Sequence, residues 1–178
     1  IRYFKSEFTK NITQITHPSI RETLKHFHLS KKGLEIIHSS DLPSRSGLGS
    51  SSAFTVALIK GIEHINNINN NNYSIAEKAI NLEQNVLKEK VGSQDQIACA
   101  IGGFNIIKFK KKFNIKNLNI NSEKIKKLES LCSLFYTGQV RNADKIEDDK
   151  IKKLKQNQKN FEEIYNIAIE AKNIFEKK

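Results

Sequence analysis

Apolar residues recur at helical spacing along much of the chain. Ile20, Leu24 and Phe27 share one face of a segment opened by Pro18, which predicts a helix from Pro18 to about Phe27. Phe54, Val56, Leu58, Ile59 and Ile62 predict a second helix, beginning within the serine run ahead of them. Ala76, Ala79, Ile80, Leu82, Val86 and Leu87 predict a third, running to about Lys88. Ser74-Ile75-Ala76-Glu77 has the form of a capping box for it, with Ser74 at the N-cap. A short helix from Asp95 to Ile101 follows, closed by Gly102-Gly103. From Asn142 to Lys178 the pattern is helical again, with Leu154, Phe161, Ile164, Ala168, Ala171 and Phe175 at steps of three, four and seven.

Three stretches read as strands: LEIIHSS (34–40), FNIIKF (104–109) and SLCSLFYTG (130–138), the last buried. In FNIIKF the alternation sets Phe104, Ile106 and Lys108 against Asn105, Ile107 and Phe109. Asn66 to Ser74 is a polar, low-complexity loop between helices. The Lys/Asn-rich stretch from Lys110 to Glu129 reads as a surface excursion. Strands and helices mix without strict βαβ alternation and without an internal repeat, so the class is α+β.

Composition narrows this further. The chain has 178 residues, 38% of them hydrophobic, which suits one domain or one domain with part of another. No apolar run approaches the roughly 20 residues that span a bilayer. Ile1-Arg2-Tyr3-Phe4 lacks the pattern of a signal peptide, and methionine is absent altogether, so the expectation is an internal fragment. Cys99 and Cys132 form no CxxC and sit among apolar neighbours, so two buried, reduced thiols and a cytoplasmic setting are expected. The net charge of +11 is spread along the chain, in Lys31-Lys32, Lys110-Lys111-Lys112, Lys124, Lys126-Lys127 and the C-terminal segment. No basic cluster is interleaved with aromatics, which argues against nucleic acid as a partner. The five histidines (His17, His26, His28, His38 and His64) show no metal-ligand clustering and read as surface or packing residues.

The candidate chemistry begins at Ser44, where two glycines and five serines take up seven of nine residues directly before an apolar helix. A helix N-terminus leaves backbone N–H groups without partners and carries partial positive charge. Glycines ahead of it let the backbone approach a ligand, and serine hydroxyls add donors or ligate a metal through oxygen. One glycine and one serine would make a turn and a cap. Gly47-Leu48-Gly49-Ser50-Ser51-Ser52 exceeds that need and reads as a phosphate cradle. It is not a Walker A loop, because no lysine follows the glycines. Nor is it a dinucleotide fingerprint, because Ser52 stands in the third small position and asparagines occupy the place of the later acidic residue. A second constellation lies downstream, with Glu83 on the third helix and Asp95 twelve positions on, at the start of the next.

LPSRSGLGSSSAF resembles the P-x-x-x-G-L-G-S-S-[AS] signature of the GHMP kinases, which phosphorylate small molecules such as galactose, homoserine, mevalonate and phosphomevalonate. Within that superfamily GSQDQ, GGFN, LFYTGQVRNADKI and HPSIRETL are most similar to the heptose 7-phosphate kinases and related sugar-1-kinases. The resemblance implies a two-domain fold: a ribosomal-protein-S5-like ATP-binding domain over 1–128 and the start of a ferredoxin-like domain over 129–178. It also implies incompleteness at both ends, with a further family motif expected before Ile1 and another beyond Lys178.

Carried over residue by residue, the resemblance assigns ATP binding to Gly47, Leu48, Gly49, Ser50, Ser51 and Ser52. It assigns Mg²⁺ to Ser51 and Glu83, and catalysis to Asp95. The expected partners are ATP and a sugar phosphate, with no nucleic acid and no membrane. Arg141, after the strand ending at Gly138, reads either as a contact to an acceptor phosphate or as a solvated arginine at a helix start. Arg45 reads as a contact to ATP or to the acceptor phosphate. Another acceptor (galactose, fucose, mevalonate or homoserine) and a non-catalytic nucleotide- or RNA-binding module are the rival readings.

Overall fold

A computed structural model describes residues 1–27, 33–41, 47–135 and 157–176. Among them Ile1–Ile101 form one compact unit, and the residues from Gly102 onward form a second.

The first unit is built on helices. Helix α1 (Pro18–His26) opens on Pro18 at its first position, where a missing N–H costs nothing. His17 caps it, its ring nitrogen accepting from the Ile20 N–H at 3.5 Å. Helix α2 (Ser50–Ile65) is the spine, and α3 (Asn72–Asn81) and α4 (Gln94–Ile101) pack against it and against each other. Their shared core holds Val56, Ile59 and Ile62 from α2, Ile75, Ala76 and Ala79 from α3, Leu82 beyond it, and Ile97 and Ala100 from α4. A neighbouring cluster of Ile15, Ile20, Leu24 and Ile62 ties α1 to α2, with Phe54 and Leu58 packed at its edge. His17 and His38 both lie against the Phe54 ring, at centroid distances of 5.4 and 4.4 Å.

Helix α3 does not end at Asn81 but loosens into a π-helical turn, Leu82–Val86, in which the Leu87 N–H donates to the Leu82 carbonyl at 2.8 Å. Such turns are frequent at functional sites. This one carries Glu83.

Several expectations are corrected. The cap of α3 is Asn71, whose side chain accepts from the Ser74 N–H at 2.9 Å, so the helix begins two residues before Ser74. Asn and Ser are both good N-caps, and the residue that starts the turn first takes the role. LEIIHSS forms no strand. Arg2 donates to the Ile36 carbonyl and accepts from the His38 N–H, both at 2.8 Å, in a single parallel bridge. β-propensity needs a partner strand, and one bridging residue does not extend a ladder.

The second unit holds the hairpin of β1 (Asn105–Phe109) and β2 (Phe113–Asn117), antiparallel with Phe109 opposite Phe113. Thus 110–129 is not a structureless excursion. It supplies β2 and most of helix α5 (Ser122–Ser130), which Asn121 caps through the Glu123 N–H. Residues 131–135 of the expected strand SLCSLFYTG are neither strand nor buried, with Leu131, Leu134 and Phe135 exposed; residues 136–138 lie outside the described residues. Helix α6 (Gln158–Glu176) follows the C-terminal pattern, while Leu154 lies outside the described residues. Phe175 of α6 meets the Phe104 ring at 5.1 Å, and Lys116 and Lys172 both bond Glu176 at 2.7 Å. Those two lysines hold the Glu176 carboxyl down to about 2. Both cysteines are free, but exposed rather than buried. Among the described residues no helix is long and apolar enough to cross a membrane.

Candidate active site

The start of α2 is set by backbone conformation. Gly49 is its N-cap, with φ of 71° in the left-handed region, and Gly47 two residues earlier has φ of 77°. An L-residue in this conformation costs roughly 1–2 kcal/mol, which explains glycine at both positions. Gly49 has no side chain with which to cap α2. The first helical bond is from the Ala53 N–H to the Gly49 carbonyl at 2.9 Å, so the N–H groups of Ser50, Ser51 and Ser52 have no partner within the helix. The positive end of the helix dipole stands behind them.

Helix α4 brings Asp95 to this turn. A Cβ built on Gly49 would lie 3.5 Å from both Cγ and Oδ2 of Asp95. The glycine therefore serves two purposes, the left-handed turn and the close approach of an acidic side chain to the helix N-terminus. Asp95 is itself exposed, open to a ligand in front of the loop.

Glu83 reaches the same region from the π-helical turn, but from beneath. It is 1% exposed. Its Oε2 accepts from the Ser52 hydroxyl at 3.1 Å and from the Gln96 side-chain amide, while its Oε1 has no hydrogen-bond partner. The Oε1 of Gln96 and the Oγ1 of Thr55, one turn beyond Ser52, are likewise buried without partners. Partial desolvation, then the Asp95 and Glu83 carboxylates, push the Cys99 thiol up.

Glu83, Asp95, Gly47, Gly49 and Ser52 are therefore gathered around one helix N-terminus. Ser50 is half-buried in the first turn, and Leu48 and Ser51 stand exposed there. The serine that touches Glu83 is Ser52, whereas Ser51 is the one assigned to metal by resemblance. Arg45 and Arg141 lie outside the described residues. A cavity lined by Ile1, Glu7, Phe8, Ile15, Leu34 and Ile36 shares no residue with the constellation.

Sequence reasoning missed Gln96. Its signal was a polar side chain four residues before the buried Ala100, hence on the inward face of α4.

The constellation suits phosphate chemistry. Unpaired N–H groups receive phosphate oxygens. Mg²⁺ at nucleotide sites is typically held by one or two carboxylates together with substrate phosphates. The buried, half-satisfied Glu83 has the chemistry of such a ligand: its Oε1 lacks a partner, and no basic side chain among the described residues pairs with it. Among the described residues no group of three or more His, Cys, Asp or Glu could hold a metal, so any cation here would draw on serine and phosphate oxygens besides the carboxylate.

Comparison with known proteins follows the same line. The family described as GHMP kinases N terminal domain matches residues 14–103, just over half of the chain. The D-glycero-alpha-D-manno-heptose 7-phosphate kinase of Campylobacter jejuni subsp. jejuni is 36% identical over 137 residues, 74% of this chain and 39% of that protein. The bifunctional fucokinase/GDP-fucose pyrophosphorylase of Arabidopsis thaliana is 34% identical over 121 residues, 64% of this chain and 11% of that protein. The chain thus spans well under half the length of either relative. No solved structure matches the chain significantly.

Proposed function

The chain belongs to the GHMP kinase family, and on that premise we propose that it carries the phosphate-binding half of an ATP-dependent sugar kinase. The acceptor in this reading is C1 of D-glycero-D-manno-heptose 7-phosphate. The observation that carries the proposal is the meeting of Gly49 with Asp95, 3.5 Å from the Gly49 Cβ position to the carboxylate, on a helix whose first N–H groups have no partner within the helix.

Backbone N–H groups from Gly47 to Ser52 hold the ATP phosphates. Ser51 and Glu83 would hold Mg²⁺, which when bound supplies positive charge to offset the negative charge on the transferring phosphoryl group. Asp95 accepts or orients the proton of the attacking hydroxyl. An anomeric hydroxyl is more acidic than an ordinary alcohol, which lightens the task of the carboxylate. Arg141 and Arg45 are the basic residues assigned to acceptor or nucleotide phosphate. The division into an ATP-binding domain over 1–128 and a second domain from 129 belongs to the same reading, as does a cytoplasmic setting, where ATP is at hand.

The heptose acceptor is favoured by the Campylobacter relative, which covers the larger share of this chain. The Arabidopsis relative favours a second reading, in which fucose is the acceptor. Phosphoryl transfer from ATP, followed by phosphorus NMR on the full-length protein with heptose 7-phosphate, unphosphorylated heptose, galactose and fucose, separates them. Faster turnover of the heptose phosphate is expected, because the remote phosphate contributes binding energy that also lowers the barrier. Faster turnover of fucose or galactose would leave the kinase and remove the heptose.

A further inference from the structure

We propose that Gln96 is a positioning residue for Glu83: its amide N–H and the Ser52 hydroxyl hold one carboxylate oxygen so that the other is presented to a divalent cation. The inference rests on the phosphate-transfer reading above and extends it to a residue that reading does not use.

Both donors land on Oε2 of Glu83, none on Oε1. Two donors on a single oxygen fix the plane of the carboxylate and prevent it from exchanging its oxygens by rotation. Neutral donors also leave the negative charge uncompensated, and a carboxylate that is 1% exposed has little water to offset it. The group is held in position and short of a cation.

The orientation of the Gln96 amide is dictated by this contact. Turned over, its own oxygen would face Oε2 of Glu83, two acceptors with no proton between them. As it stands, the Gln96 Oε1 is buried without a partner, a cost accepted to keep the N–H on Glu83. Gln96 is also next to Asp95 in α4. One helix therefore sets Asp95 against Gly49 and, through the adjacent residue, sets the angle of Glu83. The widened π-helical turn holds Glu83 at the other side of the contact.

The test measures Mn²⁺ binding to the full-length protein, with a non-hydrolysable ATP analogue present, by the electron paramagnetic resonance signal of free Mn²⁺. Gln96→Leu should weaken Mn²⁺ about 10-fold. Affinity for the metal-free nucleotide should stay within about twofold of the parent. A folded Gln96→Leu protein that binds Mn²⁺ as the parent does overturns the proposal. Glu83→Gln, measured alongside, separates the two levels. If it too binds Mn²⁺ normally, the metal reading of Glu83 fails. If it alone binds weakly, only the role of Gln96 fails. Should Gln96→Leu not fold, Gln96→Met decides, because its unbranched side chain fills a similar space without donating an N–H. Its Mn²⁺ binding should likewise weaken about 10-fold. Binding equal to that of the parent overturns the proposal.

Discussion

Helix α2 ends in a buried glutamate and begins against another, and the two are held in opposite ways. Near its C-terminal end Glu63, 2% exposed, pairs with Lys78 and accepts from Asn70 at 2.9 Å. The Lys78 ammonium also lies 5.7 Å from the centre of the Phe27 ring. At the N-terminal end Glu83 has, among the described residues, only the neutral donors Ser52 and Gln96 and an oxygen left over. The first is a closed ion pair that fastens α3 to α2. The second is left open, with no counter-charge among the described residues, and such a buried charge costs stability that a purely structural residue has no reason to incur. On the proposed function, the difference separates the end of the helix that works from the end that holds.

Asp95→Asn, the largest expected effect, should lower turnover of the full-length enzyme by about 10² or more, with ATP affinity nearly intact. Steady-state kinetics together with nucleotide titration will show it. Near-normal turnover would remove Asp95 as the proton acceptor. Lys78→Met breaks the closed end instead. It strands the Glu63 charge and should cost about 2 kcal/mol of stability in urea unfolding, with ATP affinity unchanged. A loss of nucleotide binding without a loss of stability would invert the comparison.

Gly49→Val puts a branched side chain into a left-handed turn and against Asp95. Nucleotide affinity by calorimetry should fall about tenfold, or roughly 1.4 kcal/mol.

Glu7 sharpens the contrast, with the smallest effect. It too is buried, but its two oxygens are shared out among the Tyr3 hydroxyl, the Thr16 N–H and the Thr16 hydroxyl, each at 2.6 Å. Those bonds, led by the Thr16 and Tyr3 hydroxyls, draw its carboxyl down to about 2 from an ordinary 4.5. The folded value is depressed, so the stabilisation is present above about pH 4.5 and is lost as pH falls toward 2. Glu7→Gln should flatten that acid limb in a pH series of thermal melts. Neutral donors satisfy a buried carboxylate when both oxygens are served, which is what Glu83 lacks.

The loop from Gly47 to Ser52 was legible in the sequence because its chemistry is local: left-handed glycines and N–H groups without a partner in the helix belong to adjacent residues. Glu83 and Asp95 were legible as an acidic pair, though not as one buried and one exposed group. Gln96 was not, because its meaning depends on a partner thirteen positions away on another helix. The same limit explains LEIIHSS, a strand-forming string whose partner is the single residue Arg2. It also explains the Lys110–Lys112 stretch, whose charge conceals a hairpin turn between Phe109 and Phe113. The α3 cap slid from Ser74 to Asn71 because two adequate caps stood three residues apart.

The most direct measurement takes stability and metal dependence from one variant. With Glu83→Gln in the full-length protein, ATP binding is titrated with Mg²⁺ and with EDTA, and thermal unfolding is recorded on the same samples. If Glu83 is the open end of the helix, the variant loses most of the Mg²⁺ enhancement of ATP binding, while its melting temperature holds or rises because a buried charge has been removed. A variant that melts several degrees lower and keeps the full Mg²⁺ enhancement would make Glu83 a structural residue like Glu63, and would contradict the account.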